Sequence, residues 1–145
     1  MEVLILRDDA HARVTADTRT SLLSLEWKGQ VDSETFRRIC IQAYMQVLQY
    51  RLRHWMSDSR RLTGIPPQDE AWIKEDLTPR MIKIGLERLA IVSSKSTAYR
   101  EPMERIIQEG ISRSPFPVAF FEEPDQARKW LLERSTSLAS GGTEV

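Results

Sequence analysis

The side chains best suited to chemistry fall in one stretch, Trp55-Met56-Ser57-Asp58-Ser59-Arg60-Arg61, with Trp72 a short way beyond. A serine beside two guanidinium groups suits an anion, because arginine meets phosphate or carboxylate through a planar fork of donors. Charge points to the same place. From Arg37 to Arg61 there are six arginines and one acid, Asp58, whereas Gln68 to Asp76 carries four acids and one lysine. A solvated helix face next to a basic loop gives the same pattern, so the residues leave two readings open: a plain surface, or a site around Arg60 and Arg61 for an anion or an acidic partner. Trp27, Trp55, Trp72 and Trp130 sit in separate segments. Core packing accounts for them, and a partly apolar groove is the alternative, with Trp72 the best placed. Trp55, Arg60, Arg61 and Trp72 are therefore the candidate ligand- or partner-binding residues.

Little else points to catalysis. There is no nucleophile elbow, phosphate-binding loop or dinucleotide fingerprint, and the six glycines are scattered. His11 and His54 lie far apart without metal-ligand spacing, and Cys40 falls on the apolar side of a helix, where a small core residue belongs. The pairs Asp8-Asp9, Asp69-Glu70, Glu75-Asp76 and Glu122-Glu123 adjoin turns or helix starts and read as solvated caps. No catalytic residue, cofactor or metal is expected, and the chain reads as a non-enzyme.

The elements that position these residues follow from periodicity. Val3 to Leu6, Ala12 to Ala16 and Leu22 to Trp27, separated by Asp-containing turns, predict a meander of three short strands. Asp32 and Ser33 cap a helix running to about Arg51, with Phe36, Cys40, Ala43, Tyr44, Val47 and Leu48 on its inward face. His54 to Asp58 is a strand. Arg60 to Pro67 is a loop, and Pro67 opens a helix that Pro79 is expected to kink or split before Gly85 stops it. The apolar run Leu89 to Val92 predicts a strand covered on both faces. A helix from Tyr99 to Glu109, a strand at Pro117 to Phe121 and a helix from Pro124 complete the order. After the meander, strands and helices alternate, which predicts a single-domain α/β fold on a mixed sheet. Phe36, Cys40, Tyr44, Val47, Leu89, Ile91, Val118, Phe120 and Trp130 are the expected core. Residues 1–134 form the expected domain, and the Ser/Thr/Gly-rich 135–145 an expected disordered tail.

Composition sets the outer bounds. The chain has 145 residues, enough to bury a core without disulfides or metal. Twenty-one basic and 21 acidic side chains cancel, which argues against nucleic acid as a partner. No apolar run approaches the ~20 residues that span a bilayer, so no integral membrane segment is expected. The start, Met1 to Arg7, lacks signal-peptide character, and the expected location is cytoplasmic.

Four segments carry a family resemblance. They are Leu25-Glu26-Trp27-Lys28-Gly29 before a capped helix; Trp55 to Arg61 with Pro67 and Trp72 beyond; Pro79 through Gly85 to Leu89-Ala90-Ile91-Val92; and Phe121 to Leu131 with its closing Ala127, Trp130 and Leu131. In order and spacing they resemble the SpoIIAA-like, STAS/SEC14-type small proteins of Bacteroidetes, over about Leu22 to Leu132. The resemblance implies a mixed sheet with helices packed on it and no enzymatic activity. In anti-sigma-factor antagonists of this fold, a serine after the central strand is phosphorylated, which makes Ser59 the candidate phosphoacceptor. Arg60 and Arg61 stand where small residues follow that serine in the family. The expected role is an interaction or regulatory module that binds a protein partner as yet unknown and is able to form a homodimer. The alternatives are a carrier of a small hydrophobic or anionic, lipid-like ligand, and a phospho-switched regulator. A carrier should enclose an apolar cavity of a few hundred Å3; an interaction module should have a filled core.

Overall fold

The computed structural model describes residues 3–93, 97–109 and 116–133. Strands β1 (Val3–Asp8), β2 (Ala12–Asp17) and β3 (Leu22–Trp27) form the antiparallel meander. Strands β4 (His54–Asp58), β5 (Arg88–Val92) and β6 (Val118–Phe121) then add in parallel, each beside its predecessor, so the sheet order is β1-β2-β3-β4-β5-β6. Helix α1 (Ser33–Tyr50) joins β3 to β4, α2 (Pro67–Trp72) and α3 (Thr78–Lys83) join β4 to β5, and α4 (Thr97–Glu109) joins β5 to β6. Right-handed crossovers that all step the same way put these helices on one face. Helix α5 (Pro124–Leu131) follows the last strand and packs on the other face, against β4, β5 and β6. The mixed α/β sheet expected from the sequence is the observed fold.

Burial follows that arrangement. In β2, Ala12, Val14 and Ala16 are buried toward α1 while Arg13, Thr15 and Asp17 stay half-exposed. Strand β5 is buried throughout: Leu89 and Ile91 join the large core under the helices, and Ala90 and Val92 join a smaller core under α5. Among the described residues, the far face of β1 to β3 is open except beside β3, where Leu22 joins the core under α5 and Arg128 and Leu132 border the surface. It carries a shallow groove of about 330 Å3 lined by Arg13, Thr15, Ser24 and Glu26, the solvated side that antiparallel sheets often keep.

One expectation holds with a different cause, and two need correction. The segment after Pro67 is two short α-helices, as expected, but the interruption lies ahead of Pro79 rather than at it. A π-helical turn, Ile73–Leu77, joins α2 to α3. A proline lacks the N–H for a bond four residues back, and its ring crowds that carbonyl. The wider turn, closed by the Thr78 N–H on the Ile73 carbonyl, ends just before Pro79 and lets the helix continue. Leu48, expected inside, is 55% exposed, and Ile39 takes the inward place instead. Phe36, Tyr44, Val118, Phe120 and Trp130 are half-buried rather than fully enclosed, because they lie at the margins of the two cores. Cys40, Val47, Leu89 and Ile91 are buried as expected, and Gly85 supplies the left-handed residue (φ 78°) after α3. The expected tail, 135–145, and Gly110, the expected stop of the helix that starts at Tyr99, lie outside the described residues.

Candidate functional site

The segment Ser57–Pro66 leaves the carboxyl end of β4, the edge where open α/β sheets gather ligands. Its backbone is pinned at several points. The Ser59 N–H donates to the Val92 carbonyl at 2.7 Å, and the Leu62 N–H donates to the Ser59 carbonyl at 3.1 Å. Thr63 donates its N–H and its hydroxyl to Gln30 Oε1 at 2.7 and 3.0 Å, tying this loop to the one before α1.

Ser59 turns inward. It is 1% exposed, its Oγ lies 3.1 Å from Ser57 Oγ, and it shares a hydrogen bond with the Tyr99 hydroxyl. Burial pushes the Tyr99 phenol and the Cys40 thiol well above their ordinary pKa values, so both stay protonated and neither is a nucleophile near neutral pH. A phosphate on Ser59 would require this loop to leave the core.

Arg60 turns back on its own strand. Its Nε and Nη2 donate to the Asp58 carboxylate at 2.9 and 2.8 Å, a bidentate fork on a residue that is 6% exposed. That hydrogen bond raises the Arg60 pKa further, and Glu123 Oε1 lies 3.9 Å from Nη1. Arg60 thus compensates a buried carboxylate before it meets any ligand. Arg61 is exposed and makes no ion pair among the described residues.

Trp55 is 2% exposed in the core wall. Trp72 sits elsewhere, half-buried with its ring edge-on to Phe36 at 6.4 Å and the Arg37 guanidinium 5.5 Å over it. The structure therefore distributes the four candidate binding residues over the core, the strand-end loop and the helix layer, and brings no three of them together.

What it brings together instead is a cluster around Asp69. This residue, expected to be a solvated cap, is 2% exposed. Its Oδ1 accepts from Ser33 Oγ at 2.5 Å and from Arg37 Nε at 2.9 Å, while Arg37 Nη2 donates to the Gln68 carbonyl at 3.0 Å. The cluster fastens α2 to the start of α1. Asp69 follows a Pro-Pro pair in the first helical turn, a usual place for an exposed acid. Nothing local in the sequence marks a partner 32 residues away.

Between the sheet and the α2–α3 layer lies an apolar cavity of about 60 Å3, bordered by Cys40, Trp55, Ser57, Ser59, Thr78 and Tyr99 among others. The Thr78 hydroxyl is buried there without a partner. Among the described residues no cluster of His, Cys, Asp or Glu is arranged to hold a metal, and no helix is long and apolar enough to cross a membrane.

Comparison with known proteins bears on the fold. No protein-family model matches the chain, and no curated protein matches it in sequence. Among solved structures, an uncharacterised protein of the DUF3478 family with a SpoIIAA-like fold from Shewanella loihica superposes with a TM-score of 0.54 at 18% identity, covering 89% of this chain and 91% of that one. Apo-SiaC from Pseudomonas aeruginosa superposes with a TM-score of 0.51 at 16% identity, covering 83% of this chain and 98% of that one. The fold is SpoIIAA-like, as the sequence resemblance implied.

Proposed function

We propose that this chain is a non-enzymatic interaction module that regulates by binding a protein partner. The observation that carries this reading is the filled interior. A cavity of about 60 Å3 is far below the roughly 300–1,000 Å3 that encloses a drug-sized ligand. Of the polar groups that face it, Ser57, Ser59 and Tyr99 are occupied with one another, and the Thr78 hydroxyl has no partner among the described residues. The test is native mass spectrometry of the protein purified from its host under gentle conditions. The bare chain or a protein complex is expected; a co-purifying lipid or other small molecule in stoichiometric amount overturns the reading in favour of the carrier.

Self-association fits the same reading. β1 is an edge strand on which Val3, Leu4 and Ile5 are 42%, 38% and 60% exposed, and a second copy would pair its free backbone groups. Sedimentation analysis over a concentration series checks it, with Ile5→Lys expected to shift any dimer to monomer.

The phospho-switch finds less support. Ser59→Asp places a charge at a 1% exposed position and is expected to lower stability severely in chemical unfolding, whereas Ser59→Ala, which removes the contacts to Ser57 and Tyr99, costs about 1–3 kcal/mol. A Ser59→Asp variant that keeps wild-type stability and changes partner affinity tenfold would restore the switch.

A further inference from the structure

Helix α1 carries two apolar stripes. Ile39, Cys40, Ala43 and Val47 are buried against the sheet. Ile41, Tyr44, Met45 and Leu48 repeat the i, i+3, i+4, i+7 spacing on a face rotated by roughly 135°, at about 100° per residue. That second stripe turns mostly away from the sheet, with Tyr44 at its margin packed against the large core. Met45 is 58% and Leu48 55% exposed, and Ile41 and Tyr44 are half-buried. A surface helix that serves only its own core needs one stripe.

The flanks of the outer stripe are basic. From residue 35 to residue 57 the chain has no carboxylate and four arginines, Arg37, Arg38, Arg51 and Arg53. Arg38 stands at one end of the stripe. Its nearest carboxylate is Glu34, at 3.3 Å between two exposed side chains, a contact of little energy. Arg51 stands at the other end, exposed and without an ion pair among the described residues. Along one side, the Arg80 guanidinium lies 5.7 Å over the Tyr44 ring while its Nε pairs with Asp76 on the helix surface.

Resting on the reading of this chain as an interaction module, we propose that the outer face of α1 docks an amphipathic helix of the partner, with apolar residues at i, i+3, i+4 and i+7 and carboxylates at its flanks. An apolar ridge one helix wide fits helix docking. Arginines at both ends without acids between them call for a partner of opposite sign. The same charges disfavour a second copy of α1, because an antiparallel pair would set Arg38 near Arg51 and a parallel pair would align like residues. A lipid surface is the less suited occupant: two of the four apolar residues are already half-covered, and the stripe has no tryptophan or phenylalanine to enter a bilayer.

The test uses the isotope-labelled full chain and three probes: a synthetic 18-residue helical peptide with leucines at i, i+3, i+4, i+7 and flanking glutamates, its counterpart with lysines for glutamates, and phosphatidylserine-containing vesicles. The glutamate peptide is expected to shift amides of residues 38–51 and 80–83 and to bind at least tenfold tighter than the lysine peptide. Met45→Gln/Leu48→Gln should weaken it at least tenfold, and Arg38→Glu/Arg51→Glu should reverse the peptide preference. Equal binding of both peptides, shifts confined to other elements, an unaffected double glutamine variant, or engagement of α1 by vesicles alone would each overturn the proposal. Capture from host extract separates the two levels. A partner held equally by wild type and the double glutamine variant refutes this surface and leaves the interaction module standing; no partner for the wild type refutes the module itself.

Discussion

The inner and outer faces of α1 use the same residue spacing for opposite ends. Ile39, Cys40, Ala43 and Val47 are at most 5% exposed and hold the helix to β2 and β3. Met45 and Leu48, equally apolar, are more than half exposed. The difference is in what lies opposite: a sheet already in the chain for one face and, for the other, only the margin of α3, whose Arg80 guanidinium lies over the Tyr44 ring while Met45 and Leu48 stay exposed. Hydrophobic spacing alone therefore reports that a helix has a partner to meet, and only the fold reports whether that partner is internal.

Substitutions on the two faces should separate by size. Ile39→Ala removes a side chain that is 1% exposed, and a loss of about 4 kcal/mol in chemical unfolding is expected. Met45→Ala on the outer face should stay within about 0.5 kcal/mol of wild type. A large loss at Met45 would mean that the outer stripe is core after all. Next in size is the tie between α1 and α2. Asp69→Ala strands Arg37 and the Ser33 hydroxyl, and about 3 kcal/mol is expected, with Asp69→Asn recovering part of it by accepting the Ser33 bond.

The smallest effect concerns pH. Burial lowers the His54 pKa below its ordinary value of 6.5, more strongly than Glu87 and the Thr20 carbonyl raise it. The folded state therefore prefers neutral His54. Its contribution is fully present above about pH 6.5 and fades as the pH falls through the lower folded value, because the unfolded chain takes up the proton first. Stability measured from pH 7.5 to 5 should show a shallow decline that His54→Gln flattens. An unchanged slope in the variant would assign the decline to the carboxylates.

The strand and helix order was legible because turn residues and apolar runs are local signals. The bounds of α1, β4 and the start of α5 follow from Asp32, from His54 to Asp58 and from Pro124. The site was less legible, for reasons that particular residues make plain. Asp69 carries the mark of a solvated cap, and its burial depends on Arg37 arriving from another helix. Ser59 and Arg60 are neighbours in sequence but turn to opposite environments, one toward Tyr99 and the other toward Asp58. Pro79 reads as a breaker, and only the π-helical turn before it removes the clash. Leu48 fits the inner stripe by spacing as well as the outer one, and the helix rotation decides between them.

The most direct measurement pairs stability with binding in one variant. In Met45→Gln/Leu48→Gln, the unfolding free energy should remain within about 1 kcal/mol of wild type, the sum of two surface changes, while the glutamate peptide loses at least tenfold in affinity. A fall in stability of the size expected for Ile39→Ala, or an unchanged affinity in a stable protein, would contradict the assignment of the outer stripe to a partner.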